Sequence, residues 1–163
     1  MNVIKRTQLD IEALRRVTVD PADIEDDGTD YAGVRIKKPW GHEIEKYRDD
    51  KVSVWWLHIH SLQATSMHCH PNKTTILMIV GGTATVDSLN GSYDLSQGEI
   101  VVIEKGAFHR TRSNGNAVVL YELETPPNKH DLVRLHDDYG RGQGYERCEN
   151  TTPSKTTPSP TPG

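Results

Sequence analysis

From Val34 to Thr125 the chain never runs far without a turn signal, and this limits what it can fold into. Short runs rich in Val, Ile, Thr, Trp and Tyr occupy Val34–Lys37, Glu43–Tyr47, Val52–His60, Thr74–Val80, Thr83–Leu89, Glu99–Glu104, Phe108–Ser113 and Ala117–Thr125. Between them stand Gly81-Gly82, Asn90-Gly91, Gln97-Gly98, Lys105-Gly106 and Ser113-Asn114-Gly115-Asn116. A βαβ unit needs a crossover helix between its strands, and these spacers are too short and too rich in glycine to supply one. Evenly spaced short strands close instead into a sandwich or small barrel. The expectation is an all-β domain over residues 34–125. Its Thr74–Val80 strand is apolar almost throughout and reads as covered on both faces.

The flanks differ in character. Residues 1–33 form a polar, partly helical N-terminal arm: Thr7 and Asp10 have capping-box spacing, and Ile11, Leu14 and Arg15 follow at helical intervals. Asp20-Pro21, with Asp23 behind it, reads as a second helix start, and Asp26-Asp27-Gly28-Thr29-Asp30 as a loop. Pro126-Pro127 ends the sheet, so residues 126–150 become a charged strap over the barrel. Residues 151–163, made of Thr, Pro, Ser, Lys and Gly, are expected to be a disordered tail.

Composition excludes several classes of function. The 163 residues suit a single domain, and a net charge of −4 gives no basic footprint for nucleic acid. No apolar run is long enough to span a membrane, and no apolar stretch follows Lys5-Arg6 as a secretion signal would require. Cys69 and Cys148 do not form a disulfide framework, so a cytoplasmic protein is expected.

Histidine is the unusual residue. In His68-Cys69-His70 the two imidazoles share one face of an extended chain and Cys69 takes the other. His109, which follows Lys105-Gly106 at the start of another strand, is the third candidate for a shared metal ion. Three neutral imidazoles suit a divalent transition metal, iron ahead of zinc, nickel, copper or manganese, and leave positions open for a substrate.

The spacing of these residues resembles that of the cupin family. His68, His70 and Gly82 match its first motif, with Leu62 at the usual leading glycine and Thr75 at the usual glutamate. Gly98, Gly106 and His109 match its second motif, with Glu104 in place of proline and Ser113 in place of asparagine. The resemblance covers residues 34–125 and implies a double-stranded β-helix, or jelly-roll barrel. Among cupins, a three-histidine set is similar to that of thiol and diketone dioxygenases, which implies a non-haem iron oxygenase acting on a small polar or anionic substrate. Lys38-Pro39-Trp40-Gly41-His42-Glu43 resembles a segment of mannose-6-phosphate isomerases and implies the alternative of a metal-dependent sugar-phosphate isomerase or epimerase. A non-catalytic small-molecule-binding cupin is the third reading.

Other residues complete the expected site. His58 and His60 share a face with Val52, Val54 and Trp56, opposite Ser53, Trp55, Leu57 and Ile59. Both faces look apolar, as in a strand buried on both sides, so these histidines read as ordinary hydrogen-bonded sheet residues, as pocket or substrate contacts, or, last, as metal ligands themselves. Lys73, Lys105, Arg110 and Arg112 lie near the pocket mouth in sequence, where Lys73, Arg110 and Arg112 together with Thr75 are candidates to hold the substrate. Tyr121 and Glu122 are adjacent on the last strand; one must face inward and is the candidate acid or base. The apolar surplus of the Trp55-Trp56 strand predicts a homodimer.

Overall fold

The computed structural model describes residues 1–17 and 26–145. The second helix start at Asp20-Pro21, Cys148 and the tail 151–163 lie outside the described residues. Among the described residues, thirteen strands and one helix follow in chain order: β1 (Asn2–Ile4), α1 (Gln8–Arg16), β2 (Arg35–Lys38), β3 (Gly41–Arg48), β4 (Ser53–Ile59), β5 (Met67–Cys69), β6 (Thr74–Gly81), β7 (Ala84–Ser88), β8 (Gly91–Leu95), β9 (Ile100–Ile103), β10 (His109–Ser113), β11 (Val118–Thr125), β12 (Val133–His136) and β13 (Gly144–Tyr145). They form two sheets, ordered β1-β9-β6-β11-β4-β3-β2 and β13-β12-β5-β10-β7-β8. This is the expected all-β jelly roll. The core lies between the sheets and takes alternate residues from each strand: Trp55, Leu57 and Ile59 from β4, Leu77 and Ile79 from β6, Val86 from β7, Val101 and Ile103 from β9, and Leu120 from β11.

The flanks contribute more strand than the sequence suggested. Asn2–Ile4 pairs in parallel with β9 and extends the larger sheet. The strap contributes β12, which pairs with β5 and carries β13 on its far edge. Such pairings join residues far apart in sequence, and local composition does not report them. The helix start at Thr7 is present: the Asp10 carboxylate accepts from the Thr7 N–H and hydroxyl, both at 2.7 Å. Its other oxygen accepts the Phe108 N–H at 2.8 Å. The capping residue therefore also ties the arm to the approach to β10.

Two burial expectations need correction. β6 and β4 are not covered on both faces. Thr75, Leu77 and Ile79 point inward and are buried, whereas Ile76 and Val80 are half-buried and Met78 is 36% exposed. β4 alternates likewise, with Trp55, Leu57 and Ile59 buried, Trp56 and His58 half-buried and His60, just past its end, exposed. A barrel sheet has only one inner face. The apolar side chains on the other face of these strands stay outside.

Candidate metal centre

The antiparallel pairing of β5 with β10 sets His109 opposite His68. His70, just past the end of β5, shares the inward face with His68. Ring centroids are 4.5 Å apart for His68–His109, 5.0 Å for His68–His70 and 5.4 Å for His70–His109. One nitrogen from each ring lies within 4.8 Å of the others. Gly106 makes the turn before β10 in a left-handed conformation (φ +76°), and its N–H donates to the His70 carbonyl at 2.8 Å. This turn brings the two histidine segments together, and side chains bearing a Cβ rarely adopt its backbone conformation.

Hydrogen bonding fixes the tautomer of all three rings. His68 Nδ1 bonds the Ser66 carbonyl at 2.7 Å, His109 Nδ1 the Ala107 carbonyl at 3.1 Å, and His70 Nδ1 the Asp131 carbonyl at 2.6 Å. A carbonyl only accepts, so each Nδ1 carries the proton and each Nε2 presents a lone pair. His70 Nε2 is buried and has no hydrogen-bond partner. A buried, unsatisfied acceptor facing two others is costly in a metal-free protein and suits a cation bound among them. The residues present fit a transition metal.

Burial, followed by repulsion from neighbouring positive charge, holds the imidazoles neutral. His70 is lowered to about 4 by burial and then by the Lys73 charge. His109 falls to about 4 through burial and then His70, and His68 lies well below its ordinary value through burial, then His109 and His70. Unfolded, the same residues titrate near 6.5. As pH falls below that value the unfolded chain gains protons first, and the stability given by neutral rings is lost between pH 6.5 and about 4. Glu122 works in the opposite direction. Raised to about 7 by burial and then by Glu124, it favours the folded state as pH drops from 7 towards 4.5. Three imidazoles outweigh one carboxyl, so the Tm of metal-free protein should fall steeply from pH 6.5 to 4. Bound metal should delay that fall. A flat Tm across the window would contradict these protonation states.

Other predicted residues separate clearly. Of the Tyr121–Glu122 pair, Glu122 faces the cavity, with Oε1 3.8 Å from His70 Nε2, while Tyr121 packs edge-on against Trp56 outside. Lys73 also lines the cavity, and its Nζ bonds Glu124 at 2.5 Å and the Asn128 carbonyl at 2.9 Å. Thr75 is buried and inward-facing, but its short side chain does not reach the cavity wall. Cys69 is buried behind the histidines, packed with Phe108 and Val133.

Four expected substrate contacts are misplaced. Arg110 and Arg112 alternate with His109 and Thr111, so they point outward and both bond Asp87, at 3.0 and 2.6 Å. His58 lies on the outer face of β4, stacked on His42 with ring centroids 5.0 Å apart, and His60, just past the end of that strand, is exposed. None of the four lines the cavity.

The strap supplies what the sequence reading missed. Lys129 and Arg134 line the cavity beside the histidines, as do Lys38 at the end of β2 and Trp40 in the turn that follows. Arg134 sits opposite His68 across the β5–β12 pair and is buried. Lys129 bonds Glu43 at 2.5 Å and lies 3.9 Å from the centre of a Trp55 ring. Glu124 is held down to about 2, because Lys73 and then His70 overcome the effect of its burial. The charged character of residues 126–134 was the one available signal, and it did not say which side chains turn inward. The remaining cavity is about 50 Å³, room for a few water molecules.

Comparison with known proteins agrees with this architecture. Residues 55–123 match the family model described as "Cupin domain". No curated protein matches the sequence. Among solved structures, KdgF from Halomonas sp. superposes with a TM-score of 0.55 at 14% identity, covering 58% of this chain and 87% of that one. The oxalate decarboxylase of Lactobacillus farciminis, solved as a formate complex, gives 0.55 at 18% identity over 62% of this chain and 33% of its own. The DMSP lyase DddQ of Ruegeria pomeroyi gives 0.50 at 20% identity over 58% and 47%. At such identities the structures speak for the fold alone: residues 55–123 match a cupin domain, and the barrel around them has the cupin fold.

Proposed function

We propose that the protein is a metal-dependent cupin enzyme whose ion is held by Nε2 of His68, His70 and His109, and that it is a non-haem iron oxygenase acting on a small polar or anionic substrate. The observation that carries this reading is the tautomer lock: three Nδ1–H groups donate to carbonyls, and three lone pairs face one buried point. Iron bound there supplies the redox chemistry that brings molecular oxygen into reaction with an organic substrate. The chain's own residues do the rest. Trp40, Leu57 and Leu77 keep bulk water from the centre. Lys73 and Lys129, paired with Glu124 and Glu43, and Arg134 bring positive charge to the cavity wall, which favours an anionic group on the substrate. Glu122, raised to about 7, can take or return a proton at its carboxylate near neutral pH.

A second reading, the sugar-phosphate isomerase, is favoured by the placement of Lys38 and Trp40 in the cavity wall. It loses the two arginines expected to hold phosphate, which grip Asp87 instead. Elemental analysis of protein purified without added metal, followed by oxygen-uptake assays on a panel of small carboxylates and thiols, separates the readings. Iron in stoichiometric amount with substrate-dependent oxygen uptake is expected. Zinc or manganese without oxygen use, together with interconversion of sugar phosphates, would favour the isomerase. Failure to retain any metal would leave a binding protein.

A further inference from the structure

The two sheets have very different outer faces. On the smaller one, register places Arg112, Thr85 and Asp94 in one row and Arg110, Asp87 and Ser92 in the next, a polar surface suited to water. On the larger sheet one row reads Ile100, Met78, Tyr121, Trp56 and Ile44, from β9 across β6, β11 and β4 to β3. The adjacent row reads Val3, Val102, Ile76, Leu123, Val54 and Tyr47. None of these side chains is buried, and Met78, Val3 and Tyr47 are 36%, 38% and 53% exposed. A third row adds Val119, His58 and His42. Contiguous apolar surface of this extent on a folded protein marks an interaction site.

We infer that this face binds the same face of a second copy, with the two-fold axis running along β11. Three observations select this occupant. The first is area: five strands at about 4.8 Å spacing and three rows about 7 Å apart give a flat footprint on the order of 500 Å². Two copies together reach roughly 1,000 Å², the threshold that separates specific interfaces from incidental contacts. The second is charge. An isologous contact sets the patch against itself, and the outward residues of β6, β11 and β4 include no Asp, Glu, Lys or Arg. The outward cations Arg35, Lys37 and Lys46 sit at the β2–β3 end. Because β11 is the middle strand of the seven, a two-fold along it lays that end over the partner's β9–β1 end, which keeps the like charges apart. The third is the chain's own composition. Residues 18–25 and 146–163 contain only Val19, Ala22, Ile24 and Cys148 as apolar residues, too few to cover eleven apolar side chains.

Sedimentation of the full chain at micromolar concentration tests this. The wild type should run as a dimer. Met78→Glu, which puts a charge near the axis on an already exposed side chain, should weaken association by ~100-fold or more and give a monomer with unchanged circular dichroism. Arg110→Glu, on the polar sheet, should remain dimeric. A wild-type monomer would overturn the inference, and co-flotation of that monomer with lipid vesicles would assign the face to a membrane surface instead. A Met78→Glu protein that still dimerises would overturn it too, because the contact would then lie elsewhere. None of these outcomes depends on which metal the centre holds.

Discussion

Replacing His70 by alanine should strip the centre of its metal while leaving the barrel folded. The imidazole is one of three converging donors, and its Nε2 has no hydrogen-bond partner to lose. Loss of one ligand should lower metal affinity by ~100-fold or more, at least as much as disturbing an outer partner does. His68→Ala and His109→Ala should behave alike. His58→Ala and His60→Ala supply the contrast, since His58 lies on the outside of β4 and His60 is exposed just past its end, and both should keep the metal in full. Metal content after dialysis, read beside circular dichroism, is the measurement. A His58→Ala protein as metal-poor as His70→Ala would sink the assignment. Thr75→Glu is a sharper probe. Thr75 faces Glu124 across the β6–β11 pair, so a third buried carboxylate there should destabilise the metal-free protein and make its folding depend on bound metal.

The second large effect is expected at Asp131, which no local signal in the chain singles out. Fully buried, its carboxylate accepts from the Asn72 N–H at 2.9 Å, the Asn72 side-chain amide at 3.0 Å and the Lys73 N–H at 3.0 Å, while its backbone carbonyl orients His70. Asp131→Ala leaves donors without an acceptor in and beside the turn after His70. The cost should be about 3–5 kcal/mol, two or more lost charge-assisted hydrogen bonds at roughly 1.5–3 kcal/mol each. Metal affinity should fall by ~10–100-fold as His70 loses its alignment. Asp131→Asn keeps one acceptor oxygen and should recover part of both. Denaturant unfolding and metal titration read the two effects separately, and an alanine variant unchanged in both would show that the strap does not hold the centre.

How far the chain can be read on its own differs from residue to residue. The barrel and the three histidines were legible because their signals are local: alternation within a strand, glycine where φ must be positive, and a fixed spacing between His70 and the Gly106 turn. The outward aim of Arg110 and Arg112 was legible too, since alternation from His109 already puts them on the opposite face. Their positive charge drew them into the site nonetheless. His58 and His60 failed for a different reason. β4 is apolar on both sides, and alternation sorts its residues into two sets without saying which set is the core.

By itself, then, the sequence determined the class of fold, the turns that close it and which imidazoles share a strand face, because each depends on neighbours within a few residues. Tertiary structure alone decided that Glu122 rather than Tyr121 faces His70, that the strap supplies Asp131, Lys129 and Arg134, and that the larger sheet turns its second apolar face outward. Each of those depends on which strands become neighbours and which side of a sheet meets the core. Pairing across many residues sets both, and it leaves no periodic trace in the chain.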